Sequence, residues 1–189
     1  MIIGLTGPTG AGKSSLSAFA QSIGFKVIDC DKLARKATEK GTEGLNALVE
    51  AFGEGILNAD DSLNRKALAE KAFISPQKTE LLNKTILPFI TALVEKEIDC
   101  DKVLLDAPTL FESGVDKLCD KTVAVLADSK IRLQRIKKRD NLSIDAALLR
   151  MNAGKPDSFY EKKADFIVFN NGKEAEFIRS FGEIINSII

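Results

Sequence analysis

The sequence predicts an α/β fold: a parallel five-stranded sheet flanked by helices, with a long helical insertion between its second and third strands. Three observations carry this. Short apolar runs stopped by turn-forming residues recur along the chain. A strand–helix–strand unit is complete by Asp29, the signature of a parallel pair joined by a crossover helix. From Lys32 to about Asp99 the apolar spacing turns mainly helical, so this stretch stands apart from the sheet.

The elements follow in order. Ile2 to Thr6 is an apolar run ended by glycine and reads as a buried strand. Lys13 to Ile23 carries Leu16, Phe19, Ala20 and Ile23 at helical spacing, and Gly24 ends that helix. Phe25 to Asp29 is the second strand. Leu33–Thr38, Thr42–Phe52, Arg65–Phe73 and Pro76–Ile98 are helices, with a turn at Asn58–Ser62. Lys102–Asp106 is a third strand, stopped before Pro108, and Thr122–Ala127 a fourth. Ser129–Asp140 and Ser143–Asn152 are helices around a turn at Asn141. Phe166–Phe169 is the fifth strand, closed by Asn170-Asn171-Gly172. From Lys173 to the C-terminus Phe177, Ile178, Phe181, Ile184, Ile185 and Ile188 form the apolar stripe of a last helix.

Composition narrows the chemistry. The 189 residues suit one α/β domain with insertions, and 44% apolar content is enough to bury a core. The 27 basic and 27 acidic residues balance, which argues against bulk nucleic-acid or membrane-surface binding. No apolar run reaches membrane-span length. Met1–Thr6 is too short for a signal sequence, so a cytoplasmic location is expected. Cys30, Cys100 and Cys119 are odd in number and irregularly spaced, so neither a disulfide framework nor a zinc site is indicated. The chain has no histidine, which excludes Ser-His-Asp chemistry. A general base must be a carboxylate, Lys, Tyr or Cys.

Directly after the first strand, Gly7, Gly12, Lys13 and Ser14 match G-x-x-x-x-G-K-[ST], the phosphate-binding P-loop. Glycines let successive N–H groups turn inward around phosphate oxygens, and the following helix points its positive end at the same anion. In this motif the lysine, here Lys13, reaches the β- and γ-phosphates and the hydroxyl of Ser14 ligates Mg²⁺. The strand–loop–helix context is the one the mechanism requires.

Carboxylates stand at two other strand ends. Asp29 and Asp31 flank Cys30, and Asp106 ends strand three. Ligands of open α/β sheets lie beyond the carboxyl ends of the strands, so these acids share a crevice with the loop. Each has an alternative role as a helix N-cap, Asp31 for the helix from Lys32. If the Asp29–Asp31 segment is extended, the two side chains alternate and only one faces the site. The run Lys130–Arg139 holds six basic residues and no acid. It is either a solvated helix face or an arginine lid over the transferring phosphoryl group, with Arg135 and Arg139 on one face and Arg132 a turn back.

Taken in order, these segments resemble the dephospho-CoA kinase family. Ile3–Gly7 with Gly10–Ser14 resembles its "IGLTGGIGSGKS". Val27–Arg35 resembles "vIDaDxiaR", and Leu63–Leu68 with Phe73 resembles "ldRkaL…vF". Leu105–Gly114 resembles "lDiPLLfEsg". Arg135 and Arg139-Asp140 resemble the lid "R…RD", and Ala164–Ile167 with Asn170–Gly172 resembles "ADyvIdNnG". Together they span most of the chain.

The resemblance implies a P-loop kinase fold and ATP-dependent phosphorylation of the 3′-hydroxyl of dephospho-coenzyme A. It implies Asp31, Lys13, Arg135 and Arg139 as catalytic residues, with Asp31 the base and the arginines lid clamps. ATP would meet Gly10, Ala11, Gly12, Lys13, Ser14, Ser15, Arg139, Asn170 and Gly172, the last two near adenine. The acceptor would meet Thr6, Asp31, Arg35, Arg65, Asp106, Pro108, Leu110 and Phe111. Mg²⁺ would bind Ser14, with Asp106 a candidate through water. Residues 1–31 and 100–189 would form the nucleotide-binding core, with a lid at about 129–156, and residues 32–99 the acceptor-binding subdomain. The partners implied are ATP and dephospho-CoA, with no nucleic acid or membrane, in a monomer or small homo-oligomer. The chain departs from the family pattern at Pro8, Thr9, Leu87, Thr109, Arg132 and Gly154. Another small-acceptor P-loop kinase is the alternative; it does not predict the Asp-x-Asp, Asp-x-Pro and Asn-Asn-Gly set together. A nucleotide-dependent switch needs a water-positioning residue that the sequence does not display.

Overall fold

The structure, a computed structural model, describes residues 1–188. Strand β1 (Ile2–Thr6) occupies the middle of the sheet, where both faces are covered; Ile3 and Leu5 have no exposed surface. With β2 (Lys26–Asp29), β3 (Val103–Asp106), β4 (Lys121–Leu126) and β5 (Phe166–Phe169) it forms the order β2-β3-β1-β4-β5, every pair parallel. The register pairs Asp29 with Asp106, and Asp106 also stands opposite Leu5, one residue short of the end of β1. Two carboxylates and the start of the glycine-rich loop therefore meet at one edge because the strands end together.

Side-chain alternation divides the core between the faces. On one, Ile3, Leu5 and Leu104 pack under α1 (Lys13–Ser22) and α10 (Glu174–Ile188), which contribute Leu16, Ala20, Phe177, Phe181 and Ile185. The predicted stripe of the last helix is that contact; the remaining residue of the predicted span, Ile189, lies outside the described residues. On the other face, Val103 and Leu105 pack against Leu33 of α2 (Cys30–Lys36) and against Ile90 and Val94 of α5 (Pro76–Glu97).

The chain between β2 and β3 is helical, as its periodicity predicts. It comprises α2, α3 (Glu43–Phe52), a short 3₁₀ turn (Glu54–Ile56), α4 (Arg65–Ala72) and α5. Thr42, Asn64 and Ser75 cap α3, α4 and α5 by accepting from the N–H three residues on. The predicted turn at Asn58–Ser62 closes with a hydrogen bond from Asn58 N–H to Ser62 C=O. Leu48, Phe52, Ile56, Leu68 and Ala72 give this region a cluster of its own. After β3 come α6 (Leu110–Ser113), a 3₁₀ turn (Val115–Leu118) and β4; after β4 come α7 (Ser129–Asp140), α8 (Ile144–Asn152) and α9 (Asp157–Glu161).

One boundary changes the reading of the site. The helix after β2 begins at Cys30 rather than Lys32, and Asp29 caps it by accepting from Lys32 N–H. Asp31 is therefore not a cap. It lies in the first helical turn, so the alternation of an extended chain does not apply to it.

Candidate active site

The loop after β1 takes its shape from glycine. Gly7 has φ +135° and Gly12 φ +108°, and a Cβ at either would lie 2.2 Å from a neighbour: the carbonyl oxygen of Val125 and the side-chain amide of Asn170 respectively. Within the loop Ala11 N–H donates to Pro8 C=O at 3.2 Å. Other loop carbonyls are held by cationic or amide donors. Lys13 Nζ donates to Gly7 C=O at 2.8 Å, Arg132 Nε to Thr9 C=O at 3.1 Å, Arg135 to Ala11 C=O at 3.2 Å, and Asn170 Nδ2 to the same Ala11 oxygen at 2.8 Å. The loop leads into the N-terminus of α1, whose positive end opens onto a cleft of about 530 Å³.

The cleft brings together loop, acids and arginines. Gly10, Gly12, Lys13 and Ser14 line one side; Asp29, Asp31, Asp106 and Pro108 line another; Arg135, Arg139 and Arg150 close it. The acids are not equivalent. Asp29 is spent on Lys32, through the capping bond and an ion pair at 3.5 Å. Asp106 accepts from Ser17 Oγ at 2.7 Å. Asp31, among the described residues, has neither a side-chain hydrogen bond nor an ion pair. Asp31 is solvent-accessible on the cleft, but partial desolvation there pushes its carboxyl above the ordinary aspartate value, the charges of Asp29 and Asp106 push the same way, and Lys13 and Arg35 oppose them. Burial also lowers the Lys13 ammonium, with Asp106 and Asp31 working against the shift. The thiol of Cys30 is pushed up to about 12, chiefly by burial, so Cys30 is neither base nor nucleophile near neutral pH.

The basic run of α7 splits into roles. Lys130, Lys137 and Lys138 are solvated. Arg132 is buried and pairs with Asp157 at 2.9 Å. Arg135 also donates to the backbone and side-chain oxygens of Asn170, both at 3.1 Å. Arg139 and Arg150 converge on Asp140, at 2.8 and 2.9 Å. A second pocket of about 300 Å³ shares Gly12 and Arg135 with the cleft and is further bounded by Ser15, Asn170, Gly172 and Phe177.

Some residues named from the sequence stand away from the cleft. Leu110 and Thr6 have no exposed surface, Thr6 donating to Pro108 C=O at 3.2 Å; the side chain of Ala11 is likewise buried. Phe111 packs edge-on against Phe159. Arg65 donates to the Thr38 hydroxyl, and Arg35 is exposed beside Asp31. Ser17 and Arg150 join the site without a motif of their own in the sequence. Ser17 was legible as the residue one turn beyond Lys13 on α1, whereas Arg150 is brought in only by the fold-back of α8 on α7.

A family model for dephospho-CoA kinase matches residues 1–176. The dephospho-CoA kinase of Fusobacterium nucleatum is 36% identical over 191 residues, covering 100% of this chain and 98% of its own. Among solved structures, TT1252 from Thermus thermophilus superposes with a TM-score of 0.79 at 30% identity, over 100% of this chain and 98% of its own. Dephospho-CoA kinase from Campylobacter jejuni does so at 0.64 and 27%, over 99% and 96%.

Proposed function

The chain belongs to the dephospho-CoA kinase family, and from that premise we infer that it transfers the γ-phosphoryl group of ATP to the ribose 3′-hydroxyl of dephospho-coenzyme A, completing coenzyme A. The observation that carries the mechanism is Asp31: a carboxylate without a partner among the described residues, held above its ordinary pKa, across one cleft from the phosphate-binding loop.

ATP enters with its phosphates in the loop and its adenine in the pocket by Asn170 and Gly172. The amides of Gly10 to Ser14 and the Lys13 ammonium take the β- and γ-phosphates. Arg139 leaves Asp140 for the γ-phosphoryl oxygens, while Arg135 keeps the loop in shape and faces the same cleft. The acceptor lies along the helical insertion, residues 32–99, with Arg35 and Arg65 as its cationic contacts and Pro108 beside the ribose. Asp31 accepts the hydroxyl proton as the oxygen bonds to phosphorus and the bridging P–O bond breaks, releasing ADP. Its raised pKa moves it toward the range where a base is effective near neutral pH. The α7–α8 pair, about residues 129–156, acts as the lid that keeps water out.

Mg²⁺ fits the donor set. Ser14 is exposed on the cleft, Asp106 supplies a hard carboxylate oxygen, and this ion takes most of its ligands from phosphates and water. Ser14 would hold the ion, with Asp106 assisting through water, and the ion would supply charge neutralisation on the phosphates. The reading carries a cytoplasmic enzyme, monomeric or a small homo-oligomer; no helix among the described residues is long and apolar enough to cross a membrane.

Incubating pure protein with ATP, Mg²⁺ and dephospho-CoA tests this. Stoichiometric ADP and coenzyme A, with the new phosphate at the 3′ position by phosphorus NMR, is the expected result. Turnover of a nucleoside or nucleotide with no coenzyme A formed would overturn it.

A further inference from the structure

We infer that Arg132, held by Asp157, is a positioning residue for the phosphate-binding loop, one that fixes the Thr9–Gly10 peptide so that its amide faces the phosphates. The inference rests on the reading of this loop as the ATP-phosphate site. Arg132 is 5% exposed, an unusual place for a guanidinium in a helix whose lysines are all solvated. Burial of that charge requires paired donors, and both partners are specific. Nε donates to Thr9 C=O at 3.1 Å and NH1 meets Asp157 at 2.9 Å.

The consequence comes from peptide geometry. No peptide among the described residues is cis, and in a planar trans peptide the C=O and the following N–H point in opposite directions. Arg132 draws the Thr9 oxygen toward α7, so Gly10 N–H is turned the other way, into the cleft that Gly10 lines. Gly10 itself sits against the α7 backbone: a Cβ there would lie 2.9 Å from Arg132 C=O and 3.2 Å from Arg132 Cα. Helix and loop are therefore in direct contact at this residue, and the side-chain bond adds direction to the contact.

Two further features raise the weight on this peptide. Pro8 has no N–H, so the loop offers one donor fewer just before Thr9. Asp157 opens α9, beyond the end of the α7–α8 pair. The Arg132–Asp157 pair thus fastens both roots of the lid to the loop beneath it.

The test separates nucleotide from acceptor. Arg132→Met keeps the apolar stem and removes the donors; Asp157→Asn leaves the arginine and weakens its anchor. ADP dissociation constants are measured by calorimetry, and KM for ATP and for the acceptor by steady-state kinetics, well below each variant's melting temperature. For Arg132→Met, ADP Kd and ATP KM should both rise about tenfold, the factor that about 1.4 kcal/mol represents, while acceptor KM stays within about twofold. Asp157→Asn should move the nucleotide constants the same way by a smaller factor. Folded Arg132→Met with unchanged ADP Kd, or with a loss confined to acceptor KM, would overturn the assignment. If Arg132→Met does not fold, an unchanged ADP Kd in Asp157→Asn overturns it instead. ADP binding requires no acceptor, so failure of the acceptor reading leaves this test standing.

Discussion

Gly12→Ala is the substitution whose cost can be worked most fully from the structure. Position 12 has φ +108°, which costs an L-residue about 1–2 kcal/mol. The new methyl would lie 2.2 Å from Asn170 Nδ2, well inside the 3.0 Å limit of real contacts, so the amide must move by roughly 0.8 Å. That amide is tied at both ends, donating to Ala11 C=O at 2.8 Å and accepting from Arg135 at 3.1 Å. Losing them adds about 1 kcal/mol for the neutral bond and about 1.5–3 kcal/mol for the charged one. The total is about 3.5–6 kcal/mol, a large share of the roughly 5–15 kcal/mol that stabilises a native domain. Gly24→Ala is the matched control: φ is +91°, yet nothing lies within 4 Å of its Cβ, so the conformational cost of about 1–2 kcal/mol stands alone. Urea unfolding followed by circular dichroism suits a chain without tryptophan. Gly12→Ala should unfold at markedly lower urea than Gly24→Ala and bind ADP weakly. Equal losses in the two variants would refute the claim that Asn170 is packed and bonded against the loop.

The pH profile follows from the sign of the Asp31 shift. The base works deprotonated, so kcat/KM falls as pH drops through its pKa; burial, then Asp29 and Asp106, raise that pKa, so the acid limb begins above the ordinary aspartate range. A limb at or below the ordinary value would contradict the environment assigned to Asp31. Lys13→Ala removes the ammonium that donates to Gly7 C=O and is proposed to take the phosphates, so KM for ATP should rise and kcat fall together, each about tenfold or more. Full activity in that variant would refute the cradle.

Much of this architecture was legible in the sequence for identifiable reasons. β1, α1 and the stripe of α10 carry long, consistent periodicity, and the motif at Gly7–Ser14 demands one local geometry. α6 and α9, of 4 and 5 residues, are too short for a period to register, and both were missed. The start of α2 was misplaced by two residues because Asp29 and Asp31 are equally good caps in sequence; the end of β2 at Asp29 decides between them. Within the site, loop, acids and arginines were found as separate signals. The division of labour among Arg132, Arg135 and Arg139 was not, because which loop oxygen each donor reaches, the Thr9 carbonyl, the Ala11 carbonyl or the Thr9 hydroxyl, depends on how α7 docks on the loop.

Asp31 is the proton acceptor in the proposed mechanism, and Asp31→Asn measured with saturating ATP and acceptor tests that role directly. The side chain keeps its shape and loses only its charge, so kcat should fall by about 100-fold or more. ADP affinity should stay within about twofold, since the loop is untouched. The melting temperature should stay close to the parent's, because Asp31 is exposed and solvent screens most of the effect of its ionisation on stability. An unchanged kcat in this variant would contradict the mechanism.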